Sequence, residues 1–313
     1  MHRKPAIHLT HPLMAIALAC VASTAHSVEN GAPITPIGIF EFGAGTLPPS
    51  SLAATVGLRG ASYSASQLRD TRGDRSPVGI KLKVQSASLA IVKTTDVPLL
   101  GGTYGFMAVV PYLDMSNRLT IPTPVGPMPL KGTNAAVGDI TVAPVVVKWT
   151  PSPGLFVNGR VELQLPTGSY KADRLINSGS NHWTASPAVS FTWIDPTGLE
   201  VSSNIQLNVH GKNRDTQYRS GIEYQHEFAV GQHVGPWTLG VGGYLNQQLS
   251  DDKVNGARFQ DGNRSRVMAL GPAISFFDLG SDWPVFWAHV YKEFGARNRT
   301  QGTQVAVRAG WSF

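Results

Sequence analysis

The sequence predicts an all-β chain, folded as a transmembrane antiparallel up-and-down β-barrel of about twelve strands with long extracellular loops and short periplasmic turns. Three observations carry this. Apolar and polar residues alternate in strict period two along most of the chain, as side chains of a strand do. The connections between these stretches sort into compact turns and long polar loops, one after the other. The amino terminus has the pattern of an export signal, and no later stretch is long and apolar enough to cross a bilayer as a helix. An exported chain without such a helix enters a membrane as a closed barrel or not at all.

The amino-terminal elements come first. His2, Arg3 and Lys4 form a positive start, Leu13 to Val21 an apolar run, and Ala25 and Ser27 offer small residues for cleavage, so residues 1–27 read as a signal peptide. The single cysteine, Cys20, falls inside it and leaves the mature chain without a thiol. Residues 28–51 carry Ile34, Ile37, Ile39, Phe40, Phe42 and Leu47, more apolar surface than a solvated tail exposes. Pro33, Pro36, Pro48 and Pro49 argue against a long regular element there. The segment is therefore expected to fold into the barrel from the periplasmic end, as a plug and as a hydrophobic path. Residues 52–313 form the barrel.

Strands are expected near 52–66, 78–95, 102–115, 139–150, 154–168, 181–194, 197–211, 216–229, 235–250, 264–277, 283–294 and 301–313. The turns between alternate pairs are DVPLLGG, TPSPG, DPTG, VGQHVGP and DLGSDWP, rich in the proline and glycine that preset turn torsions. The other connections are longer and polar: QLRDTRGDRSP, the stretch 116–138, PTGSYKADRLINSGSN and SDDKVNGARFQDGN. A sandwich has no reason to sort its loops by length, whereas an outer-membrane barrel does. Trp149, Trp193, Trp237, Trp283 and Trp311 gather at the short-turn end, with Trp183 at the other, like an aromatic girdle. Alternation in the last strand runs to Phe313, which suits closure against the first strand and recognition by the barrel-assembly machinery.

Parity assigns the faces. Apolar residues such as Val157, Val161, Leu207 and Val307 should meet lipid, and their polar alternates should line the lumen. The lumen candidates are Arg160, Glu162, Gln164, Glu200, Asn204, Gln206, Asn208, His210, Arg219, Glu223, Gln225, Glu227 and Arg308. Their charges are of both signs and should pair, which narrows the bore and weakens ion selectivity. Net charge is +6, but the basic residues are scattered without the stripe that nucleic acid requires. Outer-membrane lipid and lipopolysaccharide suit the excess better. There is no Gly-x-Ser-x-Gly elbow, phosphate loop, His-Glu-x-x-His or cysteine pair, so no catalytic residue, metal or cofactor is expected.

Seven stretches resemble one known family: ENGAPITPIGIFEFGAGTLPPS (29–50), GDITVAPVVVKW (138–149), LPTGSY (165–170), NSGSNHW (177–183), TQYRSG (216–221), GGYLNQQLSDD (242–252) and GNRSRVMALGP (262–272). Their order and spacing are similar to those of the outer-membrane proteins associated with the meta-cleavage pathway of phenol degradation, which include sphingosine-responsive porin-like members. The resemblance implies a bacterial outer-membrane barrel that moves small hydrophobic or aromatic compounds by passive or facilitated diffusion. The start departs from it, since Pro48 and Pro49 precede Ser50 where the family has a Pro-Pro-Gly. The competing expectation is a structural or adhesive barrel with a closed lumen and ligand-binding outer loops; a surface hydrolase ranks below both.

Overall fold

The computed structural model describes residues 36–278 and 283–313, so the signal peptide and Ile34 lie outside the described residues. Sixteen strands follow one another: β1 (Thr55–Arg69), β2 (Gly79–Leu99), β3 (Gly102–Thr123), β4 (Gly126–Val137), β5 (Thr141–Ser152), β6 (Leu155–Gln164), β7 (Thr184–Ile194), β8 (Leu199–His210), β9 (Tyr218–Arg219), β10 (Glu223–Val234), β11 (Trp237–Gln248), β12 (Lys253–Val254), β13 (Ala257–Arg258), β14 (Arg266–Phe276), β15 (Val285–Arg297) and β16 (Arg299–Ser312). The wall runs β1, β2, β3, β5, β6, β7, β8, β10, β11, β14, β15, β16, every neighbouring pair antiparallel. It closes where β1 pairs with β16, from Thr55 opposite Ser312 to Arg69 opposite Arg299.

The outward side chains form an apolar belt that includes Leu58, Leu89, Phe106, Val161, Val189, Leu239, Leu270 and Val307, all exposed. Trp193, Trp237 and Trp283 are exposed near the short turns, and Trp183 near the long loops. A closed antiparallel wall with such a belt pairs its own backbone and meets lipid with apolar side chains, as a membrane-spanning barrel requires. The connection β7–β8 shows how the short turns are made. Asp195 Oδ1 accepts hydrogen bonds from the Thr197 and Leu199 amides and the Thr197 hydroxyl, while Gly198 takes a positive φ of 86°.

Two stretches differ from expectation. Residues 116–138 are no loop: β3 continues to Thr123, and β4 pairs with it from Tyr112 opposite Val137 to Thr123 opposite Gly126. Pro122, Pro124, Pro127 and Pro129 hide this hairpin in the sequence. Its outer strand β4 pairs with β3 alone, so it is an edge, where proline is tolerated. The hairpin is anchored on an apolar cluster that includes Leu68, Ile80, Leu82, Met115, Leu119 and Ile121 from β1 to β3. Ile176, from the 165–183 loop, closes that cluster from above. The expected strand from 216 instead begins at Glu223. Tyr218–Arg219 belongs to a small outer sheet, β13-β12-β9, and Arg219 is exposed there rather than set in the barrel wall. The alternation of Tyr218 and Ile222 with Arg219 and Glu223 runs across a loop, because Gly221 and Ile222 turn to hydrogen-bond Asp252 and Ser250.

Asp252 holds these outer loops together, and it generates the first expectation. It accepts hydrogen bonds from Tyr218 Oη, the Gly221 amide, Gln248 Nε2 and Asn263 Nδ2 while fully buried. Burial pushes its carboxyl up to about 6, against the opposing pull of those donors. A raised folded-state pKa means that the folded loops bind the proton more tightly than the unfolded chain does. This contribution to stability is full below the ordinary carboxylate value of about 4 and is lost as pH rises through about 6. The protection factor for hydrogen exchange at Gly221, corrected for the intrinsic rate, should therefore fall between those pH values, and Asp252→Asn should remove that fall.

The facing assignment generates the second. Val307→Arg puts a charge into lipid and should cost about 2 to 4 kcal/mol, the range for a midplane arginine. Ala306 faces the interior beside His289 and Ala61 and is only 3% exposed, so Ala306→Arg should also destabilise, through overpacking. Urea unfolding read by heat-modifiable gel mobility checks both.

Candidate functional site in the barrel interior

The interior is occupied by the chain's own residues 36–52. This segment has no regular hydrogen-bonding pattern of its own, so its backbone polar groups need partners, and the inward side chains of the wall supply them. Ile39 and Phe40 donate their amides to Glu227 Oε2 at 2.6 and 2.8 Å. Gly43 donates to Glu200 Oε1 at 2.7 Å and Gly45 to Thr192 Oγ1 at 2.9 Å. The carbonyls are met in turn by Gln225 at Pro36, Gln304 at Ile37, Arg59 at Gly38, Trp287 at Phe42, Asn158 at Ala44, Lys148 at Leu47 and Lys93 at Ser50. These contacts come from β1, β2, β5, β6, β7, β8, β10, β15 and β16, so the segment is tied to most of the circumference.

Side chains of the segment are anchored as well. Glu41, buried, pairs with His289 Nδ1 and with Arg308, whose guanidinium lies 4.0 Å over the Trp287 ring. Phe42 is 1% exposed and packs with Ile37, Tyr244, Tyr291 and Ala229. It fits because residue 231 is glycine: a Cβ there would stand 2.5 Å from the Phe42 ring. Gly45 permits a similarly close approach, since its Cβ would meet the Phe156 carbonyl and the Thr192 amide at 2.3 Å.

The predicted interior residues divide into those that hold the segment and those that hold one another. Glu200, Gln225, Glu227 and Arg308 contact it directly. Ile37 and Phe42 are buried, Ile39, Phe40 and Leu47 are half-buried, and the Arg160 guanidinium covers Phe40 at 4.3 Å. Arg160 also donates to Glu162 at 2.6 Å, Ser190 at 2.8 Å and Asn204 at 2.8 Å. Gln206 donates to Asn208, which donates to Gln225. His210 lies 3.3 Å from Glu223 and 3.0 Å from the Thr184 hydroxyl, and Gln164 donates to Asp139. The side of the bore lined by β6 to β10 is thus an interlocked polar layer, with Asn204, Gln206, Asn208 and His210 all buried. Arg219 stands outside it and donates to the His210 carbonyl from β9.

Sequence reasoning passed over Asn158, Thr192, Trp287, His289 and Gln304. Asn158 shares the parity of Arg160, and Gln304 that of Arg308, so the alternation already contained them. Trp287 and His289 were harder to see, because β15 carries aromatic residues on both faces, Phe286 and Phe294 outside and Trp287 and Tyr291 within.

The opposite side of the bore is apolar. Beyond Pro36 and Ile37 a cavity of about 210 Å³ remains, bounded by Val84, Leu113, Met115 and Ile176 on one wall and by Tyr63, Tyr244, Glu293 and Arg299 on the other. Among the described residues, no group of three or more His, Cys, Asp or Glu is placed to hold a metal ion.

A family model described as "Putative MetA-pathway of phenol degradation" matches residues 65–309. Among solved structures, an outer membrane channel from Pseudomonas putida F1 superposes over 89% of this chain and 100% of its own, with a TM-score of 0.71 at 16% identity. The transport unit of the autotransporter AIDA-I from Escherichia coli covers 95% of this chain and 97% of its own, with a TM-score of 0.48 at 11% identity. A FadL homologue from Pseudomonas aeruginosa covers 83% and 89%, with a TM-score of 0.37 at 11% identity. No curated protein matches the sequence.

The close approach at Gly45 yields a third expectation. Gly45→Val cannot keep its hydrogen bond to Thr192 without moving the segment off β6 and β7. The barrel should still fold, while limited proteolysis should cut within residues 36–52 at least tenfold faster than in the parent protein.

Proposed function

The chain belongs to the family described as the MetA-pathway of phenol degradation, and we propose that it is an outer-membrane channel for small hydrophobic or aromatic compounds, which cross by passive or facilitated diffusion. The observation that carries this reading is the division of the bore. On the side of β6 to β10 the interior is filled with buried polar side chains, most of them hydrogen-bonded to one another, which narrows any path for ions there. The free volume lies against the apolar residues of β1 to β3 and above Ile37. A solute that follows it exchanges water for apolar walls, which favours apolar surface by about 25 cal/mol per Å².

Residues 36–52 act in this reading as the constriction. They separate the cavity from the periplasmic end, and because they are held by hydrogen bonds rather than by a strand ladder, they move without opening the wall. Deleting residues 30–47 behind the signal peptide should leave a folded barrel with larger and less selective single-channel conductance in planar bilayers. Unchanged conductance from that folded deletion would reduce the segment to a passive filler. Uptake of radiolabelled aromatics by a strain lacking the protein, compared with its parent, separates the channel from a structural or adhesive barrel, for which the two strains take up solute equally.

A further inference from the structure

The cavity above the inner segment has a chemistry more specific than apolarity. We infer that it is a binding site for a single-ring aromatic carboxylate, the ring lying on the apolar wall and the carboxylate meeting Arg299 and Arg59. The inference rests on the channel reading only in taking the bound molecule as cargo.

Size sets the first limit. A dry apolar cavity of roughly 150 Å³ accepts benzene, so about 210 Å³ has room for one ring with a small substituent. Val84, Leu113, Met115 and Ile176 offer the ring a continuous apolar face.

Unspent donors set the second limit. The cavity is lined by two carboxylates and two guanidiniums, and the carboxylates are already engaged. Glu293 accepts hydrogen bonds from Tyr63 Oη at 2.7 Å, Tyr244 Oη at 2.9 Å and the Gly302 amide at 2.6 Å. Asp139 accepts from the Gly168 amide, the Ser180 amide and hydroxyl, and Gln164. The arginines are not used up. Arg299, 6% exposed, donates to Asn246 at 3.3 Å and stands 3.8 Å from Glu293, while its Nε has no partner. Arg59 donates one hydrogen bond, to the Gly38 carbonyl. A guanidinium carries five N–H donors and prefers a planar two-oxygen acceptor. A buried donor without a partner is costly, and Arg299 Nε is one; Glu293, 3.8 Å from Arg299, is already engaged by three donors, so a further carboxylate is the group that suits these guanidiniums. A phenol hydroxyl offers one oxygen, and a hydrocarbon none.

The test uses the protein purified from outer membranes in detergent, with sodium benzoate, phenol and toluene titrated by calorimetry. Benzoate should bind saturably and at least tenfold more tightly than the other two. Arg299→Gln should weaken benzoate by about ten- to a hundredfold, the range for charge-assisted hydrogen bonds, and leave toluene unchanged. Ala61→Leu, which fills the cavity from β1 without touching a charge, should weaken all three. Equal binding of the three probes, or benzoate binding indifferent to Arg299→Gln, overturns the inference. If Arg299→Gln yields no folded band on a heat-modifiable gel, Ala61→Leu decides, and unaltered benzoate binding there overturns it. Benzoate binding without benzoate uptake by cells would defeat the channel reading and leave the site standing. Uptake that Arg299→Gln does not change would defeat the site and leave the channel.

Discussion

A strand in hydrocarbon has no water for its amides, so every backbone group in the membrane must find a partner within the protein. The pairing of β1 with β16 meets that requirement, since it closes the twelve-stranded wall and removes its two open edges, leaving only the β4 hairpin strand as an edge of the sheet. Closure also fixes the circumference, and with it a second problem. Barrels of about eight strands are filled by their own side chains, whereas those of about sixteen hold a column of water. The twelve strands of this wall enclose more volume than their inward side chains occupy. Much of what is specific to this molecule follows from how that volume is used.

Part of it is filled by backbone. Residues 36–52 bring amides and carbonyls into the bore, and burying these would be unfavourable without donors and acceptors facing them. The wall provides glutamates, glutamines, an asparagine and arginines at the heights where the segment passes. Glu227 takes two consecutive amides, and Glu200 one amide and the His233 ring. Buried carboxylates of this kind would be unfavourable in an otherwise empty lumen. In this one the segment and the charges stabilise each other, which accounts for acidic residues on strands that face no water.

The filling is uneven. Around β6 to β10, side chains of moderate length interlock through hydrogen bonds, and the layer is polar. Along β1 to β3 many inward residues are aliphatic, among them Leu82, Val84, Leu113 and Met115 beside Arg59 and Tyr63, and the β3–β4 hairpin rises from the rim with Ile176 folded over it. Aliphatic side chains cannot cross-link as amides do, and the space between them and the segment stays open. The two halves of one wall therefore differ in kind, one cross-linked and polar, the other more apolar and facing open space.

The sequence by itself determined the wall. Period-two alternation, turn residues and the sorting of loop lengths are local properties, and they located most of the barrel strands to within a few residues, including the strand that ends near Phe313, while missing the extension of β3 to Thr123 and the start of β10 at Glu223. They also assigned faces, because one parity must be apolar where lipid begins. Only the tertiary structure decided what the inward parity touches. Arg160 and Glu227 look alike in an alternating pattern, yet one binds a neighbouring layer and a phenylalanine ring while the other binds the amides of residues 187 and 188 positions away. Gly231 and Gly45 read as sheet and loop glycines, and their need for close approach is visible only where Phe42 and Phe156 meet them. Prolines that mark loops in isolation were strand residues at an edge, and Arg219, in phase with the lumen, sat in an outer sheet. Periodicity reports the direction of a side chain relative to its own strand. Which distant chain lies in that direction is set by closure of the barrel, a property of the whole wall.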